Sequence, residues 1–186
     1  MVHECLAAYF NRVRSGIDLI DIELVTHMVQ RLETCYQEGG TVYVFGNGGS
    51  GATASHFCGD LLRVISSGNA PRFKALCLND NHPSMMAIAN DEDYQYIFRE
   101  LLINFLQPKD LVWAITGSGN SKNILQALEY TKERQVDSVV CCGFDGGKAA
   151  ALGDLVCHLP VHDMEVVEDL HMMIIHAIKR VMMKTY

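Results

Sequence analysis

No Lys/Arg run of useful length, no C-x-x-C pair and no stretch of about 18 residues that is both uncharged and predominantly apolar occurs in this 186-residue chain. Each absence excludes something. Fifteen basic residues stand against 22 acidic ones, for a net charge of −7. Without a local basic patch, such a surface repels nucleic-acid phosphate, so no direct nucleic-acid partner is expected. Without a long apolar run or a basic start leading into an apolar segment, neither membrane insertion nor export is expected. The seven cysteines are odd in number, and adjacent Cys141 and Cys142 would face opposite sides of a strand. Reduced thiols in a cytoplasmic protein are the economical expectation. Repeats, low-complexity tracts and linkers are also missing, which predicts one domain over residues 1–186.

What is present is alternation. Five short apolar runs recur: TVYVF (41–45), KALCLN (74–79), DLVWAIT (110–116), SVVCCGF (138–144) and LVCHLPV (155–161). Several are nearly continuous in hydrophobicity, which suits parallel strands covered on both faces. Helical patterns lie between them at 52–65, 94–106 and 121–134. Strand–helix alternation with short turns predicts an α/β fold, a doubly wound parallel sheet over 41–162. It is flanked by a helical segment at 1–40, with a break near Gly16–Asp21, and by a C-terminal helix in 163–186. The latter carries Val166, Val167, Leu170, Met173, Ile174, Ile178 and Met182 around much of its circumference. One small sheet cannot cover that much apolar helix, so packing between subunits through the terminal helices is expected.

Two strand-to-helix turns are rich in glycine. FGNGGSGATASHF (45–57) places Gly46, Gly48 and Gly51 in G-x-G-x-x-G spacing. Alone this is weak, since a dinucleotide site and many ordinary turns share it. The second turn, TGSGNSKN (116–123), offers Thr116, Ser118 and Ser121 hydroxyls, Gly117 and a helix N-terminus. That set suits a compact phosphate, through backbone N–H groups, the positive end of the helix and small donors. A dinucleotide-binding protein, with Asp80 on the ribose, would leave the second turn without a role. Two such turns at the carboxyl ends of parallel strands describe a phosphosugar pocket, with Asn47, Gly48, Gly49 and Ser50 lining the sugar.

The pair FGNGGS…ASHF and ITGSGNSKNI, followed by GFDGG (143–147) and EDLHMMIIH (168–176), resembles the sugar isomerase (SIS) domain family, and within it the phosphoheptose isomerases. The likeness runs from about residue 5 to the C-terminus. It implies a five-stranded parallel, flavodoxin-like sheet with long terminal helices, a homotetramer with sites at subunit contacts, and in many members a zinc ion. It also implies aldose–ketose isomerisation of sedoheptulose 7-phosphate. A branch of the family acts instead as a non-catalytic platform associated with a replication initiator, and that alternative stays open here.

Moving a proton between adjacent carbons through an enediol needs a base, an acid and stabilisation of the oxyanion. His56 and Asp60 stand four residues apart and share a helix face, so both can approach one ion or substrate. The resemblance implies that His56 is a metal ligand, and that Asp60 stands where the family has its general-base Glu. Asp is shorter by one methylene. By the same resemblance His176 is the acid and a metal ligand, and Glu168 stands where a metal-binding Gln is common. Eight helical residues span about 12 Å, so Glu168 and His176 cannot easily grip one ion from a continuous helix. Asn90 and Asp91 align with a substrate-contacting Asn-Asp, although turn chemistry accounts for them equally. His171 reads as structural, and Lys122 as a helix-surface lysine.

Overall fold

The computed structural model describes residues 1–64 and 71–186. Five strands form one parallel sheet: β1 (Val42–Gly46), β2 (Ala75–Cys77), β3 (Leu111–Thr116), β4 (Asp137–Cys142) and β5 (Leu155–His158), in the order β2-β1-β3-β4-β5. Every residue of β1 and β3 is buried, as their unbroken apolar runs require. Among the described residues seven α-helices accompany them: α1 (Val2–Ile17), α2 (Ile22–Gln37), α3 (Gly48–Val64), α4 (His82–Asp91), α5 (Ile97–Phe105), α6 (Lys122–Glu133) and α7 (Met164–Thr185).

Alternate residues of each strand feed two cores. Val42, Val44, Trp113, Ile115, Val139 and Cys141 pack with α2, α3 and α7. Tyr43, Phe45, Val112, Ala114, Val140 and Cys142 pack with α5 and α6. Cys141 and Cys142 do face opposite sides, and all seven cysteines are free thiols. The ring of Phe57 meets Trp113 edge-on at 5.0 Å between centroids. Both side chains are fully buried, and truncating either costs about 3–5 kcal/mol. This contact pins α3 to the sheet. Because Phe57, Leu61 and Val64 take the core face, the adjacent face of α3, with His56 and Asp60, is turned toward α7.

The expected elements differ from the observed ones in a few places. The glycine stretch after β1 is not a loop ahead of a helix: α3 already begins at Gly48. Position 65, the last of the expected 52–65 helix, lies outside the described residues. The break between the N-terminal helices falls at Asp18–Asp21, where Asp21 caps α2 by accepting from the Glu23 and Leu24 amides (2.9 and 3.2 Å). Helix α4 is an addition. Asn81 caps it, with Pro83 in its first turn, but none of its residues is buried, so its apolar periodicity is faint.

Helix α7 is continuous, and buries Val166, Val167, Leu170, His171, Ile174, Ile175, Ile178 and Met182. It crosses α1 closely at Gly16, where a Cβ would meet Leu170 at 2.6 Å. Beyond that crossing Tyr9 and Val13 stay half-buried against the core, while Leu6 and Phe10 on the other side of α1 are 55% and 59% exposed. No helix among the described residues is long and apolar enough to cross a membrane.

Candidate active site

In the order β2-β1-β3-β4-β5 the chain leaves β1 toward one edge of the sheet and β3 toward the other. The crevice at the carboxyl ends of these neighbours is where open α/β sheets bind ligands. Gly46 pairs with Ile115 in register, so the turns after β1 and β3 emerge side by side. They are also joined. Asn47 Nδ2 donates to Asn123 Oδ1 at 2.9 Å, and Asn123 Nδ2 donates back to Asn47 Oδ1 at 2.8 Å. Asn123 is 1% exposed, so its amide depends on this partner. Tyr94 Oη adds a bond to Asn47 Oδ1 at 3.2 Å.

Further bonds hold the walls. The Asn79 side chain accepts from the Gly46 amide (3.1 Å) and donates to its carbonyl (2.7 Å), extending the sheet by one residue. The carbonyls of Gly117 and Gly119 accept from the amides of Gly143 and Ala149 (2.8 and 2.9 Å). Gly119, at φ +66°, packs so closely on the GFDGG turn that a Cβ would lie 2.1 Å from the Gly146 carbonyl oxygen. Only glycine fits that position.

The two helix N-termini are not equivalent. At α3, the carboxylate of Glu168 already lies against the first turn: a Cβ on Gly49 would be 2.1 Å from Glu168 Oε2. At α6, Ser121 is the N-cap residue, yet its hydroxyl makes no capping bond. Thr116 is buried at 4%, and Ser118 Oγ takes only a long bond from the Asn120 amide (3.3 Å). The positive end of α6 therefore has an uncommitted hydroxyl, whereas that of α3 is balanced by a carboxylate. Of the other predicted sugar contacts, Gly48 and Gly49 are exposed and Ser50 is buried at 3%. Asn90 and Asp91 bond each other (2.8 Å) on the exposed end of α4.

Across the seam between α3 and α7, His56, Asp60 and His176 come together, with one ligating atom of each within 4.8 Å of the others. His56 Nε2 and His176 Nε2 are 2.9 Å apart, so one nitrogen donates to the other. Asp60 is 7% exposed; its Oδ1 accepts from Lys179 Nζ at 2.5 Å. Its Oδ2 has no hydrogen-bond partner and lies 3.5 Å from His56 Nε2. A buried carboxylate oxygen left unpaired beside two imidazoles is a donor set that fits a divalent cation such as zinc. Glu168 is not brought to this group, because α7 runs unbroken through both positions and separates them by about 12 Å.

Sequence reasoning missed Lys179, Asn123 and Tyr94. Lys179 carried a faint signal, since it follows His176 by three residues and shares its face. His171 behaves as the structural residue expected. It is 1% exposed, burial pushes its pKa down to about 4 against a weak opposing effect of the Cys142 backbone, and neither ring nitrogen has a hydrogen bond of good geometry.

This arrangement can be set beside known proteins. The pattern of the SIS domain matches residues 8–142. Phosphoheptose isomerase of Mycobacterium bovis is 34% identical over 161 residues, covering 87% of this chain and 82% of the relative. That of Shewanella sp. (strain ANA-3) is 29% identical over 183 residues, covering 96% and 92%. Among solved structures, phosphoheptose isomerase from Neisseria gonorrhoeae superposes with a TM-score of 0.90 at 26% identity, over 98% of each chain. The chain belongs to the SIS domain family and resembles its phosphoheptose isomerases.

Proposed function

We propose that the chain is an aldose–ketose isomerase of phosphosugars, converting sedoheptulose 7-phosphate to glycero-manno-heptose 7-phosphate. The observation that carries this reading is the reciprocal Asn47–Asn123 bond, which makes one cup of two turns at the switch point, with His56, Asp60 and His176 on the adjoining helices. Those three side chains favour an enzyme over an interaction platform.

In this reading the phosphoryl group sits at the start of α6, held by amides and by Thr116, Gly117, Ser118 and Ser121. Glu168 would repel it from α3, which leaves Asn47, Gly48, Gly49 and Ser50 for the sugar and Asn90 with Asp91 at its margin. Asp60 takes the proton from the carbon next to the carbonyl, through the oxygen that Lys179 leaves free. His176 gives a proton to the carbonyl oxygen, forming the enediol. Asp60 then returns its proton to the former carbonyl carbon, and His176 regains a proton from the hydroxyl on the neighbouring carbon, which becomes the new carbonyl. His56, in contact with His176, can hold or pass its proton. A divalent ion held by His56, Asp60 and His176 would polarise the carbonyl when bound.

The exposed side of α1 supports a homotetramer, because Leu6, Phe10 and Ile17 want cover that one chain does not supply. Free thiols throughout suit a reducing cytoplasm. We read residues 1–186 as one SIS unit. The test is direct: purified protein and sedoheptulose 7-phosphate are incubated, and the aldose product is followed by NMR. Turnover is expected, and its absence with and without added zinc would overturn the proposal.

A further inference from the structure

Within the candidate metal group stands a cation that the chain supplies itself. Lys179 Nζ lies 2.5 Å from Asp60 Oδ1, on the same α7 face as His176. The pair is well shielded, with Asp60 and Lys179 side chains 10% and 31% exposed. Asp60 is thereby divided: Oδ1 is committed to the ammonium, and Oδ2 is left toward His56 with no hydrogen bond of its own.

The consequence for a cation follows from charge. Two imidazoles ligate as neutral groups, so Asp60 is the only anionic ligand in the set. Lys179 offsets that charge next to the site, and its ammonium repels a divalent ion from close range. We propose that Lys179 is a positioning residue that fixes the Asp60 carboxylate and, through its charge, weakens the grip of His56, Asp60 and His176 on a divalent metal, so that the ion is readily exchanged. This rests on reading those three residues as a metal site, and not on the identity of the sugar.

Two effects of removing Lys179 oppose each other. Freeing the carboxylate rotamer loosens the ligand set. Unmasking its charge, and ending repulsion of a doubly charged ion in a partly shielded site, tightens it. Coulomb interaction with a divalent ion at this range outweighs the freedom of one short side chain. Tightening wins.

Zinc affinity is measured on the full chain by competition with a chromophoric chelator. Lys179→Met, which keeps the length and apolar stem but removes the charge, is expected to bind zinc about tenfold tighter or more. Lys179→Arg, which restores the charge, is expected to return to the wild-type value, and Asp60→Asn to lose binding. Lys179→Gln replaces the Met variant if that one fails to fold by circular dichroism. Unchanged or weaker affinity in the neutral variants, an Arg variant that behaves like them, or no zinc binding in any of these proteins would overturn the inference. Wild-type turnover is scored separately: turnover without a zinc effect sinks only the role of Lys179, and a zinc effect without turnover sinks only the isomerase reading.

Discussion

The two ends of the site are made of different material. The proposed anion end is backbone and amide: two turns in register on β1 and β3, bridged by a buried Asn pair and clasped from behind by Asn79 and the GFDGG turn. The chemical end is four side chains from α3 and α7, with His56 nearly half exposed (48%). One inherits the rigidity of the sheet; the other depends on how two helices meet, and one residue such as Lys179 can retune it. The difference teaches that binding and chemistry here should be separable by mutation.

The sharpest break between the ends is expected from Asp60→Asn. It should lower kcat about 10³-fold, because the proposed base is gone, while KM changes little. A KM effect of similar size would mean that the ends are not separate. Asn47→Ala acts on the other end. It leaves the buried Asn123 amide without its partner, which should cost about 2 kcal/mol in urea denaturation and weaken substrate binding about tenfold. A silent Asn47→Ala would show that the cup does not need its bridge.

A smaller effect lies beneath the site, at His171. Its folded pKa of about 4 is below the unfolded value of about 6.5, so between these the unfolded chain binds the extra proton. Stability from this group is complete above about pH 6.5 and is lost as pH falls toward 4. His171→Phe removes the titration. The variant should therefore lose about 2 kcal/mol less than wild type between pH 7 and pH 5, measured by denaturation at each pH. Equal losses would mean that His171 is reached by protons in the folded state.

How much of this was legible in the sequence also divides between the ends. Strands β1, β3 and β4 announce themselves as apolar runs, and the hydroxyls of TGSGNSKN stand out as a candidate phosphate turn, because both signals are local. The pairing of His56 with Asp60 follows from helical spacing, and the distance from Glu168 to His176 from helical rise. The Asn47–Asn123 bond joins residues 76 positions apart and exists only because β1 and β3 are neighbours in register. Lys179 acquires its meaning only once α7 lies across α3. Helix α4 escaped because its apolar residues are no more than half-buried, so no periodic stripe was needed.

On the proposed reading, amides and hydroxyls after β3 hold the phosphate while the α3–α7 seam does the chemistry. Calorimetric titration of sedoheptulose 7-phosphate into Ser118→Leu and Asp60→Asn tests it most directly. The account predicts no measurable binding to Ser118→Leu and retained binding to Asp60→Asn. Wild-type affinity in Ser118→Leu would contradict it.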